Sequence, residues 1–103
     1  MKRIIQAAIL AGALLTGAAQ AEDPCPRISK LAGTIMENRQ AGTSMERMIE
    51  IASGEQFKSI DKILRHLIVE AYSKPRYNSK PNQQNAVKDF SNDQMLLCMK
   101  VRK

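Results

Sequence analysis

Apolar residues recur at spacings of three and four after residue 24, which is the period of an amphipathic helix. The first stripe predicts a helix over residues 26–41, which Gly42 would end. A second helix is predicted from Met45 to the closing Gly54, with a capping box in which the Thr43 hydroxyl and the Glu46 carboxylate each satisfy a free backbone N–H. The apolar positions are Ile28, Leu31, Ala32, Ile35 and Met36 in the first helix and Met45, Met48, Ile49 and Ala52 in the second.

The longest and most regular stripe begins after Glu55 and stops at Pro75, which predicts a central third helix. Residues 73–82 have the composition of a connecting loop. A last helix is predicted from Asn82 or Gln83 to Lys100, and residues 91–93 could cap a new turn that divides it. The third stripe contains Phe57, Ile60, Ile63, Leu64, Leu67, Ile68 and Ala71, and the fourth contains Val87, Phe90, Leu97, Cys98 and Val101.

No segment alternates apolar and polar residues over a strand's length, so the predicted fold class is all-α. Four short helices with short connections favour a small antiparallel bundle. If the first and last helices are antiparallel neighbours, their outer ends coincide, and one disulfide between the N-terminal and C-terminal ends closes the bundle.

The first 21 residues have the organisation of a cleavable signal peptide. Lys2 and Arg3 precede an apolar run over 4–18, and Ala19-Gln20-Ala21 has the small-x-small form of a cleavage site. An uncleaved anchor is the alternative, but the run is shorter than the roughly 20 residues of a spanning helix. We therefore expect a single helical domain over 22–103, located in the periplasm or secreted.

Two cysteines remain after cleavage, Cys25 and Cys98. An oxidising compartment favours a disulfide between them, and a pair of thiolates falls short of the four ligands that zinc prefers. We expect no metal site and no other cofactor. Methionine pairs one helical turn apart, at Met45 and Met48 and at Met95 and Met99, leave a Cu(I) site as a minor alternative to core packing.

Charge and motifs argue against several function classes. Without Lys2 and Arg3, 14 basic residues face 10 acidic ones, a formal charge of +4. This modest excess permits contact with an anionic lipid surface or an acidic protein, but it does not favour nucleic acid in an exported protein. The single histidine, His66, belongs to no visible catalytic constellation, so we expect no enzyme and no small-molecule substrate.

The loop after the third helix is the candidate partner-binding patch, because aromatic and basic side chains are enriched at recognition sites. In the alternative, both tyrosine rings pack against the bundle and the charges are only solvated. The residues of the patch are Tyr72, Lys74, Arg76, Tyr77 and Lys80.

Several short motifs together resemble a group of small, uncharacterised exported proteins of proteobacteria and their phages. The motifs are Cys25-Pro26, Arg39-Gln40-Ala41-Gly42, Met48-Ile49-Glu50-Ile51, Ile68-Val69-Glu70-Ala71-Tyr72, Pro75-Arg76-Tyr77, Phe90-Ser91-Asn92-Asp93 and Cys98. The resemblance implies a cysteine-framed helical protein of the bacterial envelope, and it brings no catalytic residue.

These observations together predict a non-catalytic binding module that modulates an envelope or phage-related protein. The alternative is a membrane-surface or stress-protective, chaperone-like role for the cationic helices. An enzyme or a copper-binding protein ranks third.

Overall fold

The computed structural model describes residues 23–102, which form four α-helices and one 3-10 segment, with no strand among them. The helices are α1 (Cys25–Ala41), α2 (Met45–Ala52), α3 (Asp61–Tyr72) and α4 (Lys80–Arg102), and the 3-10 segment is Glu55–Ile60. The prediction of an all-α bundle of four helices is confirmed. The predicted signal peptide lies outside the described residues. Within residues 23–102, no helix combines the length and apolar character needed to cross a membrane.

Both ends of α1 are set by local chemistry. The Asp23 carboxylate accepts a hydrogen bond from the Cys25 backbone N–H at 3.0 Å, and proline stands in the first turn. At the other end Gly42 has φ 97°, a left-handed conformation that glycine adopts without strain. The N–H groups of Gly42 and Thr43 bond to the carbonyls of Arg39 and Asn38, which forms a Schellman motif. Gly42 ends the helix as predicted.

The start of α2 differs from the predicted capping box. Ser44 is the N-cap, and its hydroxyl accepts the Arg47 N–H at 3.1 Å. The Thr43 hydroxyl instead donates to the Asn38 side chain at 3.3 Å, because Thr43 still belongs to the Schellman motif that ends α1. Thr43 and Ser44 both carry a hydroxyl that can cap a helix. Because Thr43 takes part in the end of α1, Ser44 caps α2.

The helix predicted from Glu55 is wrong in its first part, where the chain forms a 3-10 segment. Phe57 and Ile60 are three residues apart, which is one 3-10 turn, so both face the core and are half-buried. The α-helix begins only at Asp61.

Helices α1 and α4 pack antiparallel and form the most extensive contact of the bundle. The predicted disulfide joins Cys25 to Cys98, with their Cα atoms 5.6 Å apart. One turn further along α1 and two turns back along α4, the Ser91 hydroxyl donates to the Ser29 carbonyl at 2.8 Å and the Ser29 hydroxyl donates to the Ser91 carbonyl at 3.2 Å. Gly33 permits this approach, because a Cβ there would lie 2.9 Å from the Ser91 hydroxyl oxygen.

Helix α3 lies on α1 and α2 and supplies most of the remaining core. It runs in the same direction as α1, with Tyr72 beside Arg39 near the C-terminal ends of both helices. Among the described residues, Phe90 is the one fully buried apolar side chain of the core cluster that comes from α4. The cluster contains Ala32, Ile35, Met36, Met48, Ala52, Leu64, Leu67, Ile68, Ala71 and Phe90.

The loop between α3 and α4 is bonded to the C-terminal turn of α1. The Gln40 side chain, 3% exposed, donates to the Pro75 carbonyl at 2.9 Å and accepts the Tyr77 N–H at 2.8 Å. Arg39 donates to the Lys74 carbonyl through Nε at 3.2 Å and Nη2 at 2.9 Å. One buried amide thus satisfies the backbone of two loop residues, and the loop has a defined path.

Helix α4 begins at Lys80, two residues before the earlier of the predicted starts, and continues without a break to Arg102. The Ser79 carbonyl and hydroxyl accept the N–H groups of Gln83 and Asn82, so Ser79 caps the helix. The predicted division at residues 91–93 does not occur, because the Ser91 hydroxyl bonds across to α1.

Replacing Cys25 and Cys98 together by alanine should lower the free energy of unfolding by about 4 kcal/mol. The disulfide closes a loop of 73 residues, and its removal restores that much chain entropy to the unfolded state. Urea titration of the oxidised protein and of the double variant measures the difference. The variant should be insensitive to reducing agent, and a loss below about 1 kcal/mol would contradict the entropic account.

Replacing Gln40 by leucine should destabilise the fold by about 2 kcal/mol, because the Pro75 carbonyl and the Tyr77 N–H would lose their buried partner. Urea titration measures the change. Gln84→Leu, at an exposed position of α4, is the control and should have little effect. Equal stability of the two variants would show that Gln40 does not anchor the loop.

Candidate functional site

The C-terminal half of α4 leaves an apolar surface uncovered. The sequence placed Leu97 and Val101 on the same buried stripe as Phe90, yet they are 46% and 75% exposed. Helices α3 and α4 each pack on α1 but are not packed closely against each other. The seam between them is therefore open, and we call it the α3–α4 groove.

Three adjoining recesses make up the α3–α4 groove. The first, at the disulfide end, has a volume of about 300 Å³ and is lined by Ile28, Lys62, Ile63, His66, Leu67, Gln94, Leu97, Cys98 and Val101. The middle recess, about 240 Å³, is lined by Glu70, Lys74, Phe90, Asp93, Gln94, Leu96, Leu97 and Lys100. The third, about 140 Å³, is lined by Met36, Lys74, Pro75, Tyr77, Ala86, Asp89, Phe90 and Asp93. Neighbouring recesses share residues, so the groove is continuous over about 18 Å of α4 between Asp89 and Val101.

Gln94 lies where the first two recesses meet. Its side chain is 7% exposed, and it makes no hydrogen bond with any residue in the described range 23–102. None of the described polar side-chain atoms is both fully enclosed and unpaired, so the Gln94 amide is reached from the groove. An unpaired amide in an apolar site is a donor and an acceptor available to a ligand.

The charges along the groove are unevenly distributed. Lys62 borders the disulfide end, where no acidic residue of the described chain lines the recess. The middle recess has two acidic residues, Glu70 and Asp93, and two basic ones, Lys74 and Lys100. At the loop end Asp89 and Asp93 outnumber Lys74. Within the described part of the chain, no carboxylate lies within 4 Å of the Lys62 or Lys100 ammonium group. The disulfide end is accordingly apolar with an unpaired cation at its edge.

Two residues of the predicted partner-binding patch are hydrogen-bonded to the end of α1 and the turn after it. The Tyr72 hydroxyl donates to the Thr43 carbonyl at 2.6 Å, and the Arg39 guanidinium lies 5.2 Å from the centre of its ring. Burial raises the pKa of the Tyr72 hydroxyl, an effect that the charge of Arg39 partly offsets, so the phenol remains a donor at neutral pH. Arg76 Nε donates to the Gln40 carbonyl at 3.0 Å.

The other three residues of the patch fall on two different surfaces. Lys74 and Tyr77 line the loop end of the α3–α4 groove. Lys80 lines a separate recess on the other side of α4, together with Glu37 and Gln83. The structure thus brings two of the five predicted residues to the groove.

The chemistry near His66 is limited. The recess that contains His66 is lined by no Asp or Glu of the described chain. Between residues 23 and 102, no group of three or more His, Cys, Asp or Glu side chains is placed to hold a metal ion. Of the two methionine pairs, Met48 is buried in the core and Met45 and Met99 are exposed.

Sequence reasoning did not select Gln40 or Gln94, although a signal was present. Gln40 lies four residues after Met36 on the stripe of α1, and Gln94 lies four residues from both Phe90 and Cys98 on α4. A polar residue at a position of an apolar stripe is buried. Its side chain then either forms a hydrogen bond within the protein or is available to a ligand. The pattern alone does not separate these two outcomes, because it does not show which neighbour each amide meets.

Serine substitution of Leu97 or Val101 should change the free energy of unfolding by less than about 1 kcal/mol, because both side chains remain largely in water. Phe90→Ala should cost about 3 kcal/mol, since it empties a buried site. Urea titration compares the three variants. A cost at Leu97 equal to that at Phe90 would mean that the groove is closed in solution.

Comparison of the chain with protein-family models, with curated proteins and with solved structures gives no match.

Proposed function

We propose that the mature chain is a non-catalytic binding module of the bacterial envelope that holds a segment of a partner protein in the α3–α4 groove. The observation that carries the proposal is the open apolar seam with the Gln94 amide at its floor, an amide that has no hydrogen-bond partner within residues 23–102. Ligand sites combine an apolar surface with a few polar groups of this kind. The ends of the groove are held in place by the disulfide and by Gln40, so little ordering is needed on binding.

An exported location agrees with two features. The first 21 residues have the pattern of a signal peptide, and disulfides form and persist in oxidising compartments. Cys98 both forms the disulfide and lines the groove. The periplasm is the compartment that this combination favours.

Lys74 and Tyr77 extend the proposed binding surface at the loop end. Tyr77 is 39% exposed and its N–H is held by Gln40, so its ring is presented from a fixed backbone. Tyr72 and Arg76 hold the loop in place through their hydrogen bonds to the Thr43 and Gln40 carbonyls.

A second candidate function is contact with an anionic lipid surface, alone or as part of a stress-protective role. The observation that favours it is that exposed Leu97 and Val101 line the groove together with the cations Lys62, at its disulfide end, and Lys100, in its middle. The protein-binding proposal takes precedence because an acyl chain offers nothing to the Gln94 amide.

Photo-crosslinking in cells that produce the protein tests the proposal. A benzophenone amino acid at Leu97 should give a discrete product with one envelope protein, and the same amino acid at exposed Asn85, outside the groove, should give none. Intact mass of the periplasmic protein, starting at Glu22 and two hydrogens short of the reduced chain, checks export and the disulfide.

Three other results of the crosslinking experiment would contradict the proposal. A product from Lys80 without one from Leu97 would place binding on the far side of α4. Crosslinks from Leu97 to phospholipid alone would favour the membrane-surface function. No product from any position would contradict a protein-binding role.

A further inference from the structure

The Gln94 amide distinguishes between the kinds of chain that could occupy the α3–α4 groove. An α-helix uses its own backbone N–H and C=O groups internally, and a lipid chain has none. An extended peptide presents a free N–H and a free C=O on the same edge at every second residue. A buried carboxamide, with one acceptor oxygen and a donor NH₂, matches that edge.

The protein already contains this interaction once. The Gln40 carboxamide donates to the Pro75 carbonyl and accepts the Tyr77 N–H, which are backbone groups of residues i and i+2 in an irregular, non-helical loop segment. Gln94 has the same side chain at the floor of an apolar groove and has no such partner among the residues that the structure describes. Because solvent reaches the Gln94 amide from the groove, a ligand that displaces this water must replace its hydrogen bonds, which an extended peptide backbone does and an acyl chain does not.

The dimensions and charges restrict the ligand further. The groove follows about 18 Å of α4, which is the span of an extended peptide of about six residues. Lys62, at the disulfide end, has no carboxylate within 4 Å among the described residues. At the loop end Asp89 and Asp93 outnumber Lys74. Complementary charge would place an acidic group of the peptide at the disulfide end.

We infer that the α3–α4 groove binds an extended apolar peptide segment of the partner, with its backbone held by the Gln94 amide and a carboxylate beside Lys62. Alternate side chains of the segment enter the recess formed by Leu67, Leu97 and Val101. This inference rests on the proposed function, because it specifies the chemistry of the partner at the same site.

Selection from a display library of random 12-residue peptides on the immobilised, oxidised protein tests the inference. We expect enriched peptides with apolar residues at alternate positions and Asp or Glu at one end. The best enriched peptide is then synthesised, and its affinity is measured by calorimetry. Its circular dichroism should show no gain of helix on binding.

Gln94→Leu separates a binding role from a structural one. The variant should bind the synthesised peptide about tenfold more weakly, because the peptide backbone loses its partner in the groove. Its free energy of unfolding should stay close to that of the parent, because the Gln94 side chain makes no hydrogen bond within residues 23–102 and its amide is reached by solvent. Gln84→Leu, exposed and outside the groove, should leave the affinity unchanged.

Charge reversal tests the orientation. A second selection uses the double variant Lys62→Glu with Lys100→Glu as the immobilised protein. The enriched peptides should then carry Lys or Arg in place of the acidic residue. An unchanged acidic preference would overturn the assignment of the carboxylate to the disulfide end.

Other outcomes overturn the inference as a whole. The first is peptide enrichment on the parent protein that is no greater than on the double variant Leu97→Asp with Val101→Asp. The second is a peptide that becomes helical on binding. The third is an affinity of Gln94→Leu for the peptide equal to that of the parent. Displacement of the peptide by phosphatidylglycerol vesicles, or self-association that blocks it, would assign the groove to lipid or to a second copy. If Leu97 still crosslinks to an envelope protein in cells, only the extended-peptide chemistry fails and the proposed function stands.

Discussion

The antiparallel contact between α1 and α4 is the constraint on which the rest of the structure depends. Helix α4 supplies little apolar surface to the core, so hydrophobic burial alone does not explain why it stays in place. The contact is instead made by a disulfide at one end, by reciprocal serine hydrogen bonds one turn further along α1, and by the close approach that Gly33 allows. Because these contacts use small side chains, α4 lies near α1 and leaves a gap beside α3.

The two buried glutamines show how one side chain serves two purposes in the same bundle. Gln40 and Gln94 each lie in the register of an apolar stripe and are nearly inaccessible to water. The Gln40 amide bonds to a loop of its own chain, and the loop thereby closes one end of the α3–α4 groove. The Gln94 amide is left without a partner within residues 23–102. An internal bond makes the first residue structural, and the missing bond makes the second a candidate for recognition.

The helices could be predicted from the sequence because apolar period and end signals act locally. Gly42 ended α1 as predicted, since a left-handed residue is required at that position whatever the helix packs against. Features decided by contacts between elements could not be predicted. Thr43 was displaced as the cap of α2 by the end of α1, and Ser91 bonded to Ser29 and did not break α4. Leu97 and Val101 fit a helical stripe correctly, yet the stripe does not show that α3 lies too far away to cover them.

The position of the disulfide links the fold to the proposed site. Cys98 borders the first recess of the groove, one helical turn from Gln94 and next to the wall formed by Leu97 and Val101. Few apolar side chains hold that wall to the core, so the covalent bond to Cys25 is what keeps it beside α1. A bundle that relied on burying Leu97 and Val101 would hold the same helix without a disulfide, but it would have no open groove. The cross-link thus allows apolar surface to remain exposed in a small domain, and that exposed surface is what a binding module requires.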